Sequence, residues 1–285
     1  MALVVIVAHV AASDGFAYDA HAYWLARPYD LPENSPDAFV YSPPVLIIFR
    51  ALAAILPWPV FLELYELAIG VGVWLLAGPF TPLVVFTPPV ASEILIANVH
   101  VFLALVAVAG IRRPWLWAFP LLTKITPGIG LLWFVVRHEW RSLAIALGAT
   151  ALIAVPTIVL APDLWTAWIA TLASSTTDYA SYGIPLSVRL VAAALVIGIG
   201  ARRDWRWTVP IGSMIALPVL WDAHGPSMLL GVLAVLRGAW VARDDQRAAG
   251  ATATGSAVAL SALRDRARLF LPRRHRGDLG EPEST

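Results

Sequence analysis

The residues best suited to chemistry lie in an acidic stretch near the start of the chain, residues 14–44. The stretch contains two aspartate–tyrosine pairs at a spacing of four, Asp14 with Tyr18 and Asp19 with Tyr23. On a helix the two members of each pair share a face. An aspartate partly removed from water at a membrane surface could take a proton from a sugar hydroxyl as a general base. An N-cap or a solvated interfacial acid is the alternative that this pattern leaves open.

A lysine in an apolar segment that a proline interrupts is the second candidate. Lys124 lies in the run LTKITPG, near the middle of residues 115–136. Pro127 removes a backbone hydrogen bond, and the freed N–H groups together with the lysine could bind a phosphate. A lysine that reaches the membrane interface or pairs with Glu93 is the alternative. Because a phosphate group favours two cations together, four arginines are candidates of the same kind. They are Arg50, Arg112, Arg113 and Arg189.

Other kinds of chemistry have little support in the sequence. His21 and His224 are candidate metal ligands, but neither has a second histidine at ligand spacing, so we expect no metal and no cofactor. The chain has no cysteine, which excludes thiol nucleophiles and thiolate metal sites. It also contains no glycine-rich nucleotide loop, HExxH or GxSxG motif. A net charge of +1 provides no overall field for nucleic acid.

The composition is that of a membrane protein. Of the 285 residues, 59% are hydrophobic and only 14% are charged, whereas about a quarter of the residues in soluble domains are charged. Thirteen tryptophans and 22 prolines fit interfacial aromatic residues and broken helices. We therefore predict an all-α polytopic membrane protein, a bundle of about 8–9 transmembrane or half-membrane helices.

The chain is predicted to form one transmembrane domain, residues 1–242, followed by a polar cytoplasmic tail, residues 243–285. The tail combines an amphipathic piece suited to a membrane surface with a disordered end. Residues 1–13 are apolar but lack the charged region of a signal peptide, so we expect a shortened first transmembrane helix.

The distribution of arginines predicts the orientation. The loops with Arg137 and Arg141 and with residues 202–206 are expected in the cytoplasm, so the loops at residues 13–44 and 161–186 face outward. Between them, the prolines of residues 80–90 predict a half-helix or re-entrant piece, and residues 91–110 a regular helix. Residues 115–136 have the length of a span, so we expect them to cross the bilayer. A segment that enters and returns is the alternative.

Several short motifs follow one another in a characteristic order after the aspartate–tyrosine pairs. They are YSPP from Tyr41, Asn98-Val99-His100, the block from TKITPG to HEW, and LPVLWDAH with Trp221 and His224. This order resembles the GT-C class of membrane glycosyltransferases, and within it the polyprenol-phosphate-mannose-dependent alpha-1,2-mannosyltransferase family in its actinobacterial branch. The resemblance covers residues 14–240. It departs from the family at Ile96-Ala97, where a glycine–glutamine pair is usual.

The resemblance implies a multi-pass enzyme of the cell membrane with an extracytoplasmic active face. Such an enzyme transfers a hexosyl group, expected to be mannosyl, from a polyprenyl-phosphate donor to a glycan or glycolipid acceptor, with inversion and without a metal. The first-loop base would be Asp19, which we favour, or Asp14. The donor phosphate would be held by Lys124, Arg112, Arg113 and Arg50. Positioning of the acceptor or substrate would fall to Tyr18, Tyr23, Tyr41, Asn98, His100, Trp221 and His224. The expected partners are the donor, the acceptor and membrane lipids, with no nucleic acid.

Two other functions remain open at this point. One is a non-catalytic membrane protein that binds or flips a lipid carrier, a truncated paralogue of the enzymes. This function predicts that replacing Asp14 and Asp19 together has no effect, whereas replacing Lys124 does. The other is an ion or solute transporter, for which intramembrane charges such as Glu63 and Glu66 would line a path. The internal repeats that mark many transporters are not visible.

Overall fold

The computed structural model describes residues 17–31, 37–174, 183–221 and 224–241. Every regular element in these ranges is a helix, as predicted. By contacts the chain divides into a large unit, Met1–Leu236, and a small one, Arg237–Thr285. Three predicted features lie outside the described residues: Asp14, the transmembrane helix at residues 1–13, and the tail at residues 243–285.

The longer helices are numbered α1 to α12 along the chain, and short 3-10 turns connect several of them. Their bounds are α1 (Tyr18–Leu25), α2 (Pro43–Ile55), α3 (Trp58–Ala77), α4 (Pro88–Ile96), α5 (His100–Ala109), α6 (Ala118–Thr123), α7 (Leu132–Val136), α8 (Trp140–Leu160), α9 (Pro162–Ser174), α10 (Leu186–Arg203), α11 (Thr208–Ile215) and α12 (Gly225–Val241).

Within the described residues, two helices are long and apolar enough to cross a membrane. They are α8 and the continuous stretch Trp58–Val84, which contains α3. The bent pair formed by α4 and α5 adds a third if it is a single span. The prediction of a helical membrane protein is therefore confirmed, whereas the predicted number of about 8–9 transmembrane or half-membrane helices is not.

The prolines after α3 do not create the half-helix predicted for residues 80–90. The chain continues from Ala77 through the turn Gly78–Phe80 and the helical piece Thr81–Val84, and α4 then begins at Pro88. Each proline lies in the first turn of a helical piece, where its missing N–H group costs no hydrogen bond. The prediction was wrong because the prolines begin successive helical pieces and do not delimit a separate half-helix.

The helix predicted for residues 91–110 is broken in the middle. α4 ends at Ile96, α5 begins at His100, and their axes differ by 114°. Ala97 takes a left-handed conformation with φ of 55°, which is uncommon for a residue other than glycine. The Asn98 side-chain oxygen accepts the Val99 N–H at 2.6 Å and so satisfies a donor that the break releases. The prediction of one regular helix was wrong because no proline or glycine marks this break.

The segment at residues 115–136 turns back on itself at Lys124. The Trp117 ring packs directly against two glycines, Gly110 at the end of α5 and Gly130 in the returning half of the segment. A side-chain carbon on either glycine would clash with the ring. The outgoing and returning halves therefore lie side by side, and both ends of the segment are at the same end of the bundle. The structure thus contradicts the expected crossing and agrees with the alternative, a segment that enters and returns.

The predicted second loop, residues 161–186, is in part a helix. α9 begins with Pro162, whose fixed φ suits a first helical position, and Asp163 complements the positive helix terminus. Trp168 of α9 donates its ring N–H to the Val40 carbonyl at 3.0 Å. This bond fastens α9 to the chain just before α2.

Aromatic side chains hold α1 against the following helices. Tyr23 packs against Tyr41, Phe49 and Tyr65, with ring centroids 5.3 to 5.7 Å apart. Trp24 donates its ring N–H to the Leu56 carbonyl at 2.9 Å. Aromatic pairs at such distances contribute packing beyond their buried area, and they fix the orientation of the helix that carries Asp19.

Candidate active site

The first member of the candidate site is Asp19 on α1, a helix outside the long apolar segments. Its carboxylate accepts a hydrogen bond from the side-chain amide of Asn98, which lies in the break between α4 and α5. Burial raises the pKa of Asp19 from its usual value near 3.8 to about 6. The positive charge of Lys124 and the Asn98 bond oppose this increase, whereas the carboxylate of Glu93 adds to it. A carboxylate that titrates near neutral pH can accept a proton efficiently.

The Asn98 amide also connects Asp19 with the segment that follows α11. Its nitrogen lies 3.5 Å from Nε2 of His224. The His224 ring stacks on Trp221, with centroids 6.2 Å apart and an angle of 25° between the ring planes. The His224 ring also lies 5.1 Å from that of His100. The amide that binds the carboxylate is therefore joined to two histidines, and Trp221, 40% exposed, forms an aromatic face beside His224.

The cationic part of the site is Lys124 at the end of α6. Its ammonium group lies 3.2 Å from Nε2 of His100, and His100 Nδ1 lies 3.0 Å from a carboxylate oxygen of Glu93. Ser42, from the YSPP motif, donates its hydroxyl to the Leu122 carbonyl at 2.6 Å. The motif thereby fixes the backbone two residues before the lysine.

The backbone next to Lys124 is strained. Ile125 has φ of 36°, a region that residues branched at Cβ rarely adopt. Strain of this kind is common at functional sites, where the surrounding structure must hold it in place. Here Ser213 of α11 donates to the carbonyl of Pro127 at 3.2 Å and holds the far side of the turn.

Three predicted tyrosines have different environments. Tyr23 and Tyr41 are buried, with their hydroxyl oxygens 2.7 Å apart. Both tyrosines lie close enough to Asp19 to interact with its charge. Tyr18 lies at the start of α1 and is 45% exposed. The first two therefore form a wall beside the carboxylate, whereas Tyr18 faces outward.

Three of the predicted phosphate-binding arginines lie away from Lys124. Arg50 is exposed on α2, and Arg112 and Arg113 are exposed just after the end of α5. His100 begins α5, so the ten residues of that helix separate the two arginines from the Lys124–His100 contact by about 15 Å. Arg112 and Arg113 are therefore not neighbours of Lys124, and the role of the three arginines as phosphate ligands stays a prediction.

Arg189, also a candidate cation, binds backbone carbonyls. Its guanidinium group donates to Leu217 at 2.6 Å, to Pro218 at 2.8 Å and to Ile215 at 3.2 Å. These carbonyls follow α11, where the helix leaves its last acceptors without partners. Arg189 thus fixes the course of the chain towards Trp221 and His224.

One residue of the cluster was not among the predicted site residues. Glu93 is fully buried, and the sequence suggested it as a partner for Lys124 or as one of the charges of a transport path. Glu93 lies seven positions before His100, and in a continuous helix about two turns would separate the two side chains. The break between α4 and α5 instead brings them into contact. An acidic residue inside an apolar helix was the available signal, because such groups are costly without a partner.

The described part of the chain contains no group of side chains typical of a metal site. Within the described ranges no three side chains of histidine, aspartate or glutamate are grouped closely enough to hold a metal ion. His21, the other histidine considered as a ligand, pairs with Asp37 at 2.6 Å.

Fold and site together are those of a helical membrane enzyme with a carboxylate and an ammonium group in one polar cluster. The chain belongs to glycosyltransferase family 87, a family of the GT-C type, whose model matches residues 39–272. It is therefore a membrane glycosyltransferase, as the resemblance implied. The match includes Lys124, Asn98 and His224, whereas Asp19 precedes it. Comparisons with curated proteins and with solved structures gave no match.

Proposed function

We propose that the protein transfers a hexosyl group, specifically mannosyl, from a polyprenyl-phosphate donor to an extracytoplasmic glycan or glycolipid acceptor. The transfer inverts the anomeric centre, and Asp19 is the general base. The observation that carries the proposal is the shared cluster of Asp19 and Lys124, linked through Asn98, His100 and His224. Displacement of a sugar from a lipid phosphate needs a proton acceptor and a cation, and the cluster has one of each.

The reaction balances as a single displacement. The oxygen of the acceptor hydroxyl attacks the anomeric carbon, and the bond from that carbon to the phosphate oxygen breaks. The bonding electrons go to the phosphate, which leaves as polyprenyl phosphate, and the hydroxyl proton goes to the Asp19 carboxylate. Lys124 stabilises the negative charge that develops on the departing phosphate. Attack on the face opposite the phosphate produces the inverted glycoside.

The neighbouring side chains orient the reacting groups in this proposal. Asn98 directs the carboxylate of Asp19 through its amide hydrogen bond. Trp221 and His224 present stacked rings, a surface on which a sugar ring packs favourably. The tyrosine pair at Tyr23 and Tyr41 closes the site on the side of α1 and limits access of water to the base.

The positions of the charges on α10 support an extracytoplasmic site. Arg189, in the first turn, binds the segment that leads to His224, whereas the Ala201 carbonyl, in the last turn, accepts from Arg137 at 3.2 Å. The twelve residues between them correspond to about 18 Å along the helix axis. Arg137 also pairs with Asp204 at 3.3 Å, so the arginine-rich loops meet at one end of α10. If that end is cytoplasmic, the candidate site faces outward.

Transfer from a defined donor tests this proposal. The purified chain in lipid nanodiscs is given polyprenyl-phosphate mannose labelled in the sugar, together with membrane glycolipid acceptors. We expect labelled glycolipid whose new linkage has the configuration opposite to that of the donor, and no product from a nucleotide-activated mannose. Product from the nucleotide sugar, or retention of configuration, contradicts the proposal. Binding of the lipid donor without any transfer favours the non-catalytic lipid-carrier protein.

A further inference from the structure

A chain of three polar groups, two of them buried, extends from a break in a helix to the cation of the site. Glu93 Oε1 accepts the backbone N–H groups of His100 at 2.6 Å and Val101 at 3.2 Å. Its other oxygen lies 3.0 Å from His100 Nδ1, and the opposite ring nitrogen of His100 lies 3.2 Å from the Lys124 ammonium group. Glu93 and His100 are both fully buried, so water cannot replace either partner.

The chemistry of the three groups gives this chain a direction. An ammonium group has three hydrogens to donate and no lone pair to accept one. His100 Nε2 must therefore accept from Lys124, which leaves the ring hydrogen on Nδ1. That hydrogen is donated to Glu93, since a carboxylate only accepts. Glu93 thus selects the imidazole tautomer that can bind Lys124.

We propose that Glu93 and His100 are positioning residues that hold the Lys124 ammonium group for the donor phosphate. The inference rests on the proposed function, in which Lys124 binds that phosphate. His100 occupies one of the three ammonium hydrogens, and the other two remain for phosphate oxygens. A carboxylate behind a histidine fixes metal-bound imidazoles in the same way. The negative charge of Glu93 also compensates the half-buried cation, which is costly without a partner.

A simpler role for Glu93 is to cap the start of α5. Its Oε1 accepts two N–H groups that the break leaves without helical partners. The variant Glu93→Gln separates the two roles because glutamine keeps the accepting Oε1. Its amide NH2 group, however, donates towards His100 Nδ1 and forces the ring hydrogen onto Nε2. Two donors then face each other at Lys124, and the ammonium group loses its acceptor.

The test measures binding to the full chain in lipid nanodiscs with two probes, polyprenyl phosphate and the uncharged polyprenol of the same length. The ratio of the two affinities isolates the contribution of the phosphate. We expect the native chain to prefer the phosphate and Lys124→Met to lose the preference. Glu93→Gln should reduce it by about tenfold with unchanged polyprenol binding. The double variant Glu93→Gln with Lys124→Met should bind the phosphate no more weakly than Lys124→Met alone.

Two further variants complete the comparison. His100→Gln keeps one donor for Glu93 and one acceptor for Lys124 and should retain most of the preference, whereas His100→Leu should lose it. Glu66→Gln is the matched control, because Glu66 is also a buried carboxyl group, 6% exposed, but lies on α3. We expect it to leave the preference unchanged.

The possible failures can be told apart. A native preference that Glu93→Gln leaves intact overturns this inference alone and leaves Glu93 as a helix cap. Equal losses of phosphate and polyprenol binding also overturn it, since they indicate a general structural defect. A native chain with no preference for the phosphate overturns the proposed donor, and this inference with it.

Discussion

Asn98 donates its side-chain amide hydrogen to the carboxylate of Asp19, although 79 positions separate the two residues in the chain. The contact exists because α4 and α5 are separated by a sharp bend, with Asn98 inside it. Burial and this hydrogen bond act on the pKa of Asp19 in opposite directions. The pair therefore links the geometry of the helix break to the proton affinity of the proposed base.

The rate of transfer by the native chain should depend on the ionisation of Asp19. Because burial raises the pKa of Asp19 to about 6, the carboxylate that accepts the proton is present above that pH and is lost below it. We expect kcat/KM to fall about tenfold for each pH unit below 6. Measurement between about pH 3.5 and 8 checks this, and an acid limb near pH 4 would contradict the buried environment of the base.

Replacement of Asn98 should shift the acid limb of the pH dependence of kcat/KM. The hydrogen bond from Asn98 lowers the pKa of Asp19, so its loss in Asn98→Leu raises the pKa and shifts the acid limb to higher pH. Tyr65→Phe is the control, because the Tyr65 hydroxyl donates to the backbone carbonyl of Asn98, at 3.4 Å, and not to its side-chain amide. Equal limbs in the native chain and Asn98→Leu would mean that the amide does not act on the base.

The sequence predicted the types of the main site residues better than the path of the chain that joins them. A carboxylate and a lysine that are flanked by apolar residues are conspicuous, because a buried charge requires a partner or a role. The hydrophobic pattern could not predict the break at Ala97. No proline or glycine occurs there, and the released N–H groups are satisfied by side chains of Glu93 and Asn98.

The return of the chain at Lys124 was missed for a different reason. Residues 115–136 are long enough for a span, and length alone does not distinguish a crossing from two short halves. The deciding contact is the packing of Trp117 on Gly110 and Gly130, which depends on tertiary structure. The same contact places Arg112 and Arg113 beyond the end of α5 that lies away from the Lys124–His100 contact.

Arg189 should stabilise the structure more than an exposed arginine does. Arg189→Met leaves the carbonyls of Ile215, Leu217 and Pro218 without their donor, and we expect the free energy of unfolding to fall by about 2–4 kcal/mol. Denaturation of the purified protein in detergent measures the loss. Arg50→Met, at an exposed position of α2, is the control and should change stability little. Equal stabilities of the two variants would contradict the anchoring role.

The close contact between Trp117 and Gly130 should make that glycine sensitive to a single methyl group. A side-chain carbon there would overlap the Trp117 ring, and we expect Gly130→Ala to cost about 1–3 kcal/mol. Gly148→Ala in α8 is the matched control, since nothing lies within 4 Å of the added carbon. Thermal unfolding compares the two variants. A stable Gly130→Ala protein would argue against the folded-back segment.

The central claim is that Asp19 and Lys124 act on one reaction in different ways. The most direct measurement is single-turnover transfer from polyprenyl-phosphate mannose, combined with donor binding, for the native chain, Asp19→Asn and Lys124→Met. We expect Asp19→Asn to bind the donor normally and to transfer about 10²–10⁴ times more slowly, and Lys124→Met to bind the donor more weakly. Native rates of transfer by Asp19→Asn would contradict the account.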